Sequence, residues 1–125
     1  MNKLCLNSRD ELMIILLEKV AYFQAQGNYT RLCYIGGETH LLTIGLSKVE
    51  EYLRKSWPKN ETTPFIRLGR SVIINQTYLS GINVLKQRVS LSDFNSHTHH
   101  LSVPKPLLKE YKEKINQYYV GKNGE

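Results

Sequence analysis

Apolar and polar residues alternate with a period of two along most of this chain, and the alternation is cut into short lengths by turn-forming clusters. Lys3–Leu6 and Glu11–Leu16 are two such runs, separated by Asn7-Ser8-Arg9-Asp10, a cluster that suits a hairpin. Tyr22-Phe23-Gln24-Ala25 follows and is stopped by Gly27-Asn28. From Tyr29 to Ile35 one face carries Tyr29, Arg31, Cys33 and Ile35, and the other Thr30, Leu32 and Tyr34. Gly36-Gly37 then predicts a tight turn into a strand over Thr39–Ile44, so the first third reads as a β-meander.

The period changes once before the middle. Leu46, Val49, Tyr52 and Leu53 recur at helical spacing, with Lys48, Glu50, Glu51, Arg54 and Lys55 between them, which predicts one short amphipathic helix. Pro58 and Pro64 bound the loop after it, because proline cannot continue a helix and forces its predecessor into an extended conformation. Strand signals resume at Phe65–Leu68, Val72–Asn75, Ile82–Leu85, Arg88–Leu91 and His99–Val103, with Asp93–Ser96 as a hairpin tip. Leu107, Leu108, Tyr111, Ile115 and Tyr118 then predict a C-terminal helix with Pro106 in its first turn and Gly121 at its end. The fold class expected is mainly β with two short helices, one domain over residues 1–120 and a disordered tail at 121–125.

Composition narrows the function classes. The longest apolar run, Leu12–Leu17, is far shorter than the roughly 20 residues of a membrane-spanning helix. No signal-peptide core stands near the N-terminus, so a cytoplasmic protein is expected. Cys5 and Cys33 have no metal-ligand or CxxC spacing, and both read as small buried apolar residues. Tyr52, Tyr111 and Tyr118 fall on the helical stripes and are read as core or rim. Seventeen Lys and Arg against eleven Asp and Glu give a net charge of +6, a balance that attracts polyanions without specifying one. No Ser-His-Asp context, phosphate loop or HExxH pattern assembles a nucleophile with its base, and no cofactor is expected.

Three segments carry a family resemblance. Lys19–Thr30 contains Gly27-Asn28-Tyr29-Thr30 after an apolar strand. Phe65-Ile66-Arg67-Leu68-Gly69-Arg70-Ser71-Val72-Ile73-Ile74-Asn75 places two arginines, a serine and a terminal asparagine at fixed offsets, and Tyr78–Ile82 follows. Leu101-Ser102-Val103 runs through Lys105 into the last helix, and Gly45-Leu46-Ser47 opens the first one. Together these resemble the LytTR DNA-binding domain family over about residues 4–119. The second segment is the most specific of the three. Two departures stand out: Gly69 occupies the place of the family's usual histidine, and Pro104 and Pro106 replace its polar pair before the last helix.

The resemblance implies an elongated arrangement of small antiparallel β-sheets whose loops enter successive major grooves of duplex DNA, in a response-regulator output domain used for transcription regulation. It implies a second copy of the chain on an adjacent DNA repeat. It also implies contacts from Asn28, Tyr29, Thr30, Arg67, Arg70, Ser71 and Lys105. Family members usually carry an N-terminal phosphoacceptor domain, for which 125 residues leave no room, so a stand-alone regulator or an excised output domain is expected.

Physical chemistry gives these residues suitable work. Asn28 and Thr30 carry short polar groups that can meet base edges or phosphates, although Asn28 has a second reading as support for a left-handed turn after Gly27. Arg70 and Ser71 sit at a strand break, where a guanidinium can grip guanine or phosphate. Arg67 is read equally as a salt-bridge residue. Lys105 lies close to a helix N-terminus, which makes either a phosphate site or a solvated lysine. Lys86 and Arg88 extend the basic surface. In His97-Thr98-His99-His100 alternation puts His97 and His99 on one face, but nothing completes a metal ligand set, and the segment is read as a solvated hairpin arm. The alternative function is a protein-interaction module of the same fold that has lost DNA binding, a reading that Gly69 and the two prolines support.

Overall fold

The computed structural model describes residues 2–123 of the chain. It separates into two compact units, one up to residue 78 and one from residue 79 onward. The first unit holds a hairpin of β1 (Lys3–Asn7) and β2 (Leu12–Leu16), turned by Ser8, whose backbone N–H and hydroxyl both donate to the Glu11 carbonyl. A 3-10 turn at Leu17–Lys19 leads to β3 (Val20–Gln26), β4 (Tyr29–Tyr34) and β5 (Thr39–Leu42). Helix α1 (Leu46–Ser56) follows, then β6 (Phe65–Leu68) and β7 (Val72–Asn75). The last five strands form one antiparallel sheet in the order β5-β4-β3-β7-β6.

The apolar stripe of α1 explains its place. Leu46, Val49 and Leu53 are buried with Phe23, Leu32, Phe65 and Ile73, and the hairpin adds Leu4 and Ile15 to the same core. Trp57, just past the helix, packs edge-on against Phe65, which is tilted against Phe23. Each buried side chain of this size contributes about 1.5–3 kcal/mol, so the core rather than helix propensity holds α1 in register. The buried Asn75 at the end of the most specific segment has a structural job. Its Nδ2 donates to the Val20 carbonyl at 2.9 Å and its Oδ1 accepts from the Thr77 N–H, locking β7 to the start of β3.

The second unit is a three-stranded antiparallel sheet in the order β10-β9-β8, from β8 (Leu79–Asn83), β9 (Arg88–Ser92) and β10 (Thr98–Ser102), with helix α2 (Lys105–Asn123). Val89, Leu91, Leu101, Val103, Leu108 and Tyr111 form its buried side.

The mainly β fold with two helices is the one the residue pattern predicts, with four differences. β8 runs over Leu79–Asn83 and stops two residues short of the expected end, because Val84–Gln87 is spent on a turn in which Asn83 Oδ1 accepts the Lys86 N–H and Gln87 takes a positive φ of 51°. α2 is not short, at 19 residues, and passes Gly121. Of the tail expected at 121–125, residues 124 and 125 lie outside the described residues. Cys33 is buried, but Cys5 is exposed, because odd positions of β1 face away from the core that takes Leu4. Tyr111 is buried while Tyr118, two turns further along α2, is exposed.

Candidate nucleic-acid interface

β3 runs toward one end of the five-stranded sheet, and its antiparallel neighbours β4 and β7 start there. The Gly27-Asn28 turn and the Gly69-Arg70-Ser71 turn, 42 positions apart in sequence, are therefore at the same end. They are joined directly, since the Ala25 N–H donates to the Ser71 carbonyl at 2.8 Å. The connection from β5 to α1 reaches the same end, because Leu42 pairs with Thr30.

Each turn is shaped by a glycine in the left-handed region, Gly27 at φ 60° and Gly69 at φ 72°. In that region a side chain is strained and glycine is not. Gly27 itself supplies the left-handed residue of its turn, and Asn28 has no positive φ. The alternative reading of Asn28, as the residue that supports a left-handed conformation, is thereby removed. Its side chain is exposed, next to a Tyr29 ring that is also exposed.

Thr30 differs from the expectation. It is fully buried, and its hydroxyl donates to the Ile44 carbonyl at 2.9 Å. Alternation on β4 turns it inward, so it ties the β5–α1 connection to the turn instead of facing outward.

Arg67 and Arg70 part company. The Arg67 guanidinium is mostly covered, with Nε donating to the Gly69 carbonyl at 2.9 Å and Nη2 to the Arg70 carbonyl at 3.5 Å. Nη1 reaches Glu50 at 3.1 Å and the Ser47 hydroxyl at 3.3 Å. Of its two sequence readings, the salt bridge is the one this geometry builds, and the fork braces the turn against α1. Arg70 and Ser71 are exposed on that braced turn. Lys48, in the first turn of α1, adds charge to the same end, although its ammonium is 2.9 Å from Glu51. The helix N-terminus formed by Gly45, Ser47 and Lys48 was not singled out as a site from the sequence. Its signals there were the change of period at Leu46 and the family-like Gly45-Leu46-Ser47 start.

Lys105 belongs to the second unit, as the first residue of α2 and exposed, with the Pro104 carbonyl accepting the Leu108 N–H. The Val103 N–H donates to the Gln87 carbonyl at 3.0 Å, and Arg88 pairs with Ser102. This end of the three-stranded sheet therefore gathers Lys86, Arg88 and Lys105. The opposite end is the Asp93–His97 tip. His97 lies before β10 rather than within it, and its Nδ1 is 2.8 Å from the Asp93 carboxylate, so it does not share a strand face with His99 as expected. Among the described residues no group of three His, Cys, Asp or Glu side chains is placed to hold a metal ion. No helix among them is long and apolar enough to cross a membrane.

The profile of the LytTr DNA-binding domain family matches residues 10–116, which is most of the chain. The protein belongs to the LytTR family. LytTR domains are DNA-binding domains rather than catalytic ones, so DNA is the partner and transcription regulation the process served. Among solved structures, the chain is similar to one described as a LytTr DNA-binding domain from Bacillus cereus. The two are 22% identical, with a TM-score of 0.59 over 92% of this chain and 97% of that one. At that identity the likeness establishes the fold. No curated protein matches the sequence. Within this LytTR fold, the family-specific segments divide their labour: Asn28, Tyr29, Arg70 and Ser71 are presented outward, whereas Thr30, Arg67 and Asn75 hold the turns that present them.

Proposed function

We infer that this LytTR domain binds duplex DNA in a sequence-specific manner to regulate transcription in the cytoplasm, with turns of its β fold entering the major groove. The observation that carries this reading is the joining of two exposed polar turns by the Ala25–Ser71 hydrogen bond at one sheet end. Asn28 and Arg70 are the side chains for base edges, because an amide pairs with adenine and a guanidinium with guanine in the major groove. Tyr29 and Ser71 flank them as backbone contacts. Lys105, with Lys86 and Arg88 at the same sheet end, meets phosphates, helped by the partial positive charge at the start of α2. Two copies bind adjacent repeats of the operator.

The test is selection of bound fragments from random duplex DNA by the purified chain, followed by competition between selected and scrambled duplexes. A recurring sequence that outcompetes its scrambled version supports the reading. Binding that ignores sequence and salt, or no binding, overturns it and leaves a fold that recognises a protein.

A further inference from the structure

A cavity of about 310 Å³ opens in the first unit between the β1–β2 hairpin and the edge strand β5. Its apolar lining includes Leu6 and Met13, a cross-strand pair only partly buried against the core, together with Leu41, Ile44 and Tyr52. Its polar lining includes Asn7, Ser8, Glu11 and Thr43. The seam exists because the hairpin is a separate two-stranded sheet, joined to the rest through Leu4 and Ile15 but not hydrogen-bonded to β5. Among the described residues the Glu11 carboxylate has no ion-pair partner. A volume at the lower end of the roughly 300–1,000 Å³ range of ligand pockets suits one compact ring system.

We propose that this cavity is an effector site for a small amphipathic molecule with an aromatic or aliphatic body and a cationic or hydrogen-bond-donating head. The body packs on Leu6, Met13 and Leu41, and the head faces Glu11, the charge complement in the lining. The site is coupled to the DNA-facing end through shared backbone. Thr43 and Ile44 wall the cavity, and the Ile44 carbonyl accepts the hydroxyl of Thr30, two residues after Asn28. A ligand that pushes residues 43 and 44 outward loosens the support of the Asn28 turn, so occupancy weakens DNA binding. This coupling rests on the proposed function, whereas the site itself does not.

Leu6 lines the cavity from the inward face of β1, so Leu6→Cys in a Cys5→Ser background, with Cys33 buried, provides a handle for the test. The introduced thiolate attacks one sulfur of an added disulfide, forming a mixed disulfide and releasing the other half as a thiol, which mercaptoethanol reverses. Three probes are compared on the full chain by intact mass: bis(2-hydroxyethyl) disulfide, bis(2-phenylethyl) disulfide, and the phenylethyl compound bearing a para-aminomethyl group. The phenylethyl adduct is expected to withstand about tenfold more mercaptoethanol than the hydroxyethyl adduct, the effect of partly burying one ring. The aminomethyl group adds a further gain that Glu11→Gln removes. Leu41→Trp, at a half-exposed position, fills the cavity and abolishes the aromatic preference, and Met13→Trp does the same by a second route. Equal stability of all three adducts, or a preference untouched by both tryptophans, overturns the site. DNA affinity is then compared between phenylethyl-capped and hydroxyethyl-capped protein, with a several-fold loss expected for the former. Equal affinity overturns the coupling, whereas failure of even the hydroxyethyl-capped and unlabelled chains to bind DNA counts against the functional reading and leaves the labelling result standing.

Discussion

The Ala25 N–H donates to the Ser71 carbonyl at 2.8 Å, so the turn that carries Arg70 is fastened to the strand that leads into the Asn28 turn. A base-reading side chain is useful only when its backbone is held, since a loose turn spends binding energy on ordering itself. Arg67 supplies the remaining restraint through the carbonyls of Gly69 and Arg70.

Arg67→Ala is expected to destabilise the fold by about 1.5–3 kcal/mol, the usual worth of hydrogen bonds to a charged group. Arg67→Lys keeps a charge for Glu50 but cannot reproduce the planar fork, so it recovers only part of the loss. Urea melts of the three proteins check this. Melts that superimpose would show that the fork braces nothing.

Arg70→Ala leaves the melt unchanged and costs about 1–3 kcal/mol of preference for the selected duplex if its contact is bidentate to guanine. Lys105→Ala instead weakens selected and scrambled duplexes alike and flattens the salt slope by about one unit. Competition at two salt concentrations reads both variants at once. The opposite pattern would exchange the two roles.

Thr30→Val keeps the shape of the side chain and removes the donor to Ile44, leaving that carbonyl short of a partner at a cost of about 1–3 kcal/mol. Because Thr30 is fully buried, its effect on DNA binding should follow the loss of stability and disappear at temperatures where the variant is fully folded. A persistent loss of sequence preference in the folded variant would return Thr30 to the interface.

At the Asp93–His97 tip, the His97 N–H and ring, together with the Asn95 N–H, hold the Asp93 carboxyl at a pKa of about 2, below its ordinary 3.8. A carboxylate with a depressed pKa stabilises the fold above the ordinary value and ceases to as pH falls through the depressed one. Stability should therefore decline between about pH 4 and 2, and Asp93→Asn should flatten that part of the profile. An unchanged acid limb in the variant would mean that the tip does not contribute.

Binding of the whole chain to duplex DNA should weaken steeply with salt. With on the order of 4 to 6 phosphates neutralised, the log-log slope is expected at about −4 to −5. A slope near zero in fluorescence anisotropy titrations would remove the electrostatic component.

Residue order by itself determined much of this protein. Period-two alternation and glycine or proline breaks placed most of the strands, the change of period at Leu46 placed α1, and the Phe65–Asn75 segment marked the family. These are local signals, set by which side of a strand or helix meets the core. What the sequence could not assign was the division of work inside the family segments. Thr30 and Arg70 are both polar residues near turns, yet one is buried against Ile44 and the other is exposed. That difference arises from β4 register, from the return of β5 beside Thr30 and from the packing of α1 below Arg67. The cavity beside Cys5 is equally invisible in the sequence, because it lies between a hairpin and a strand whose separation only the tertiary structure fixes.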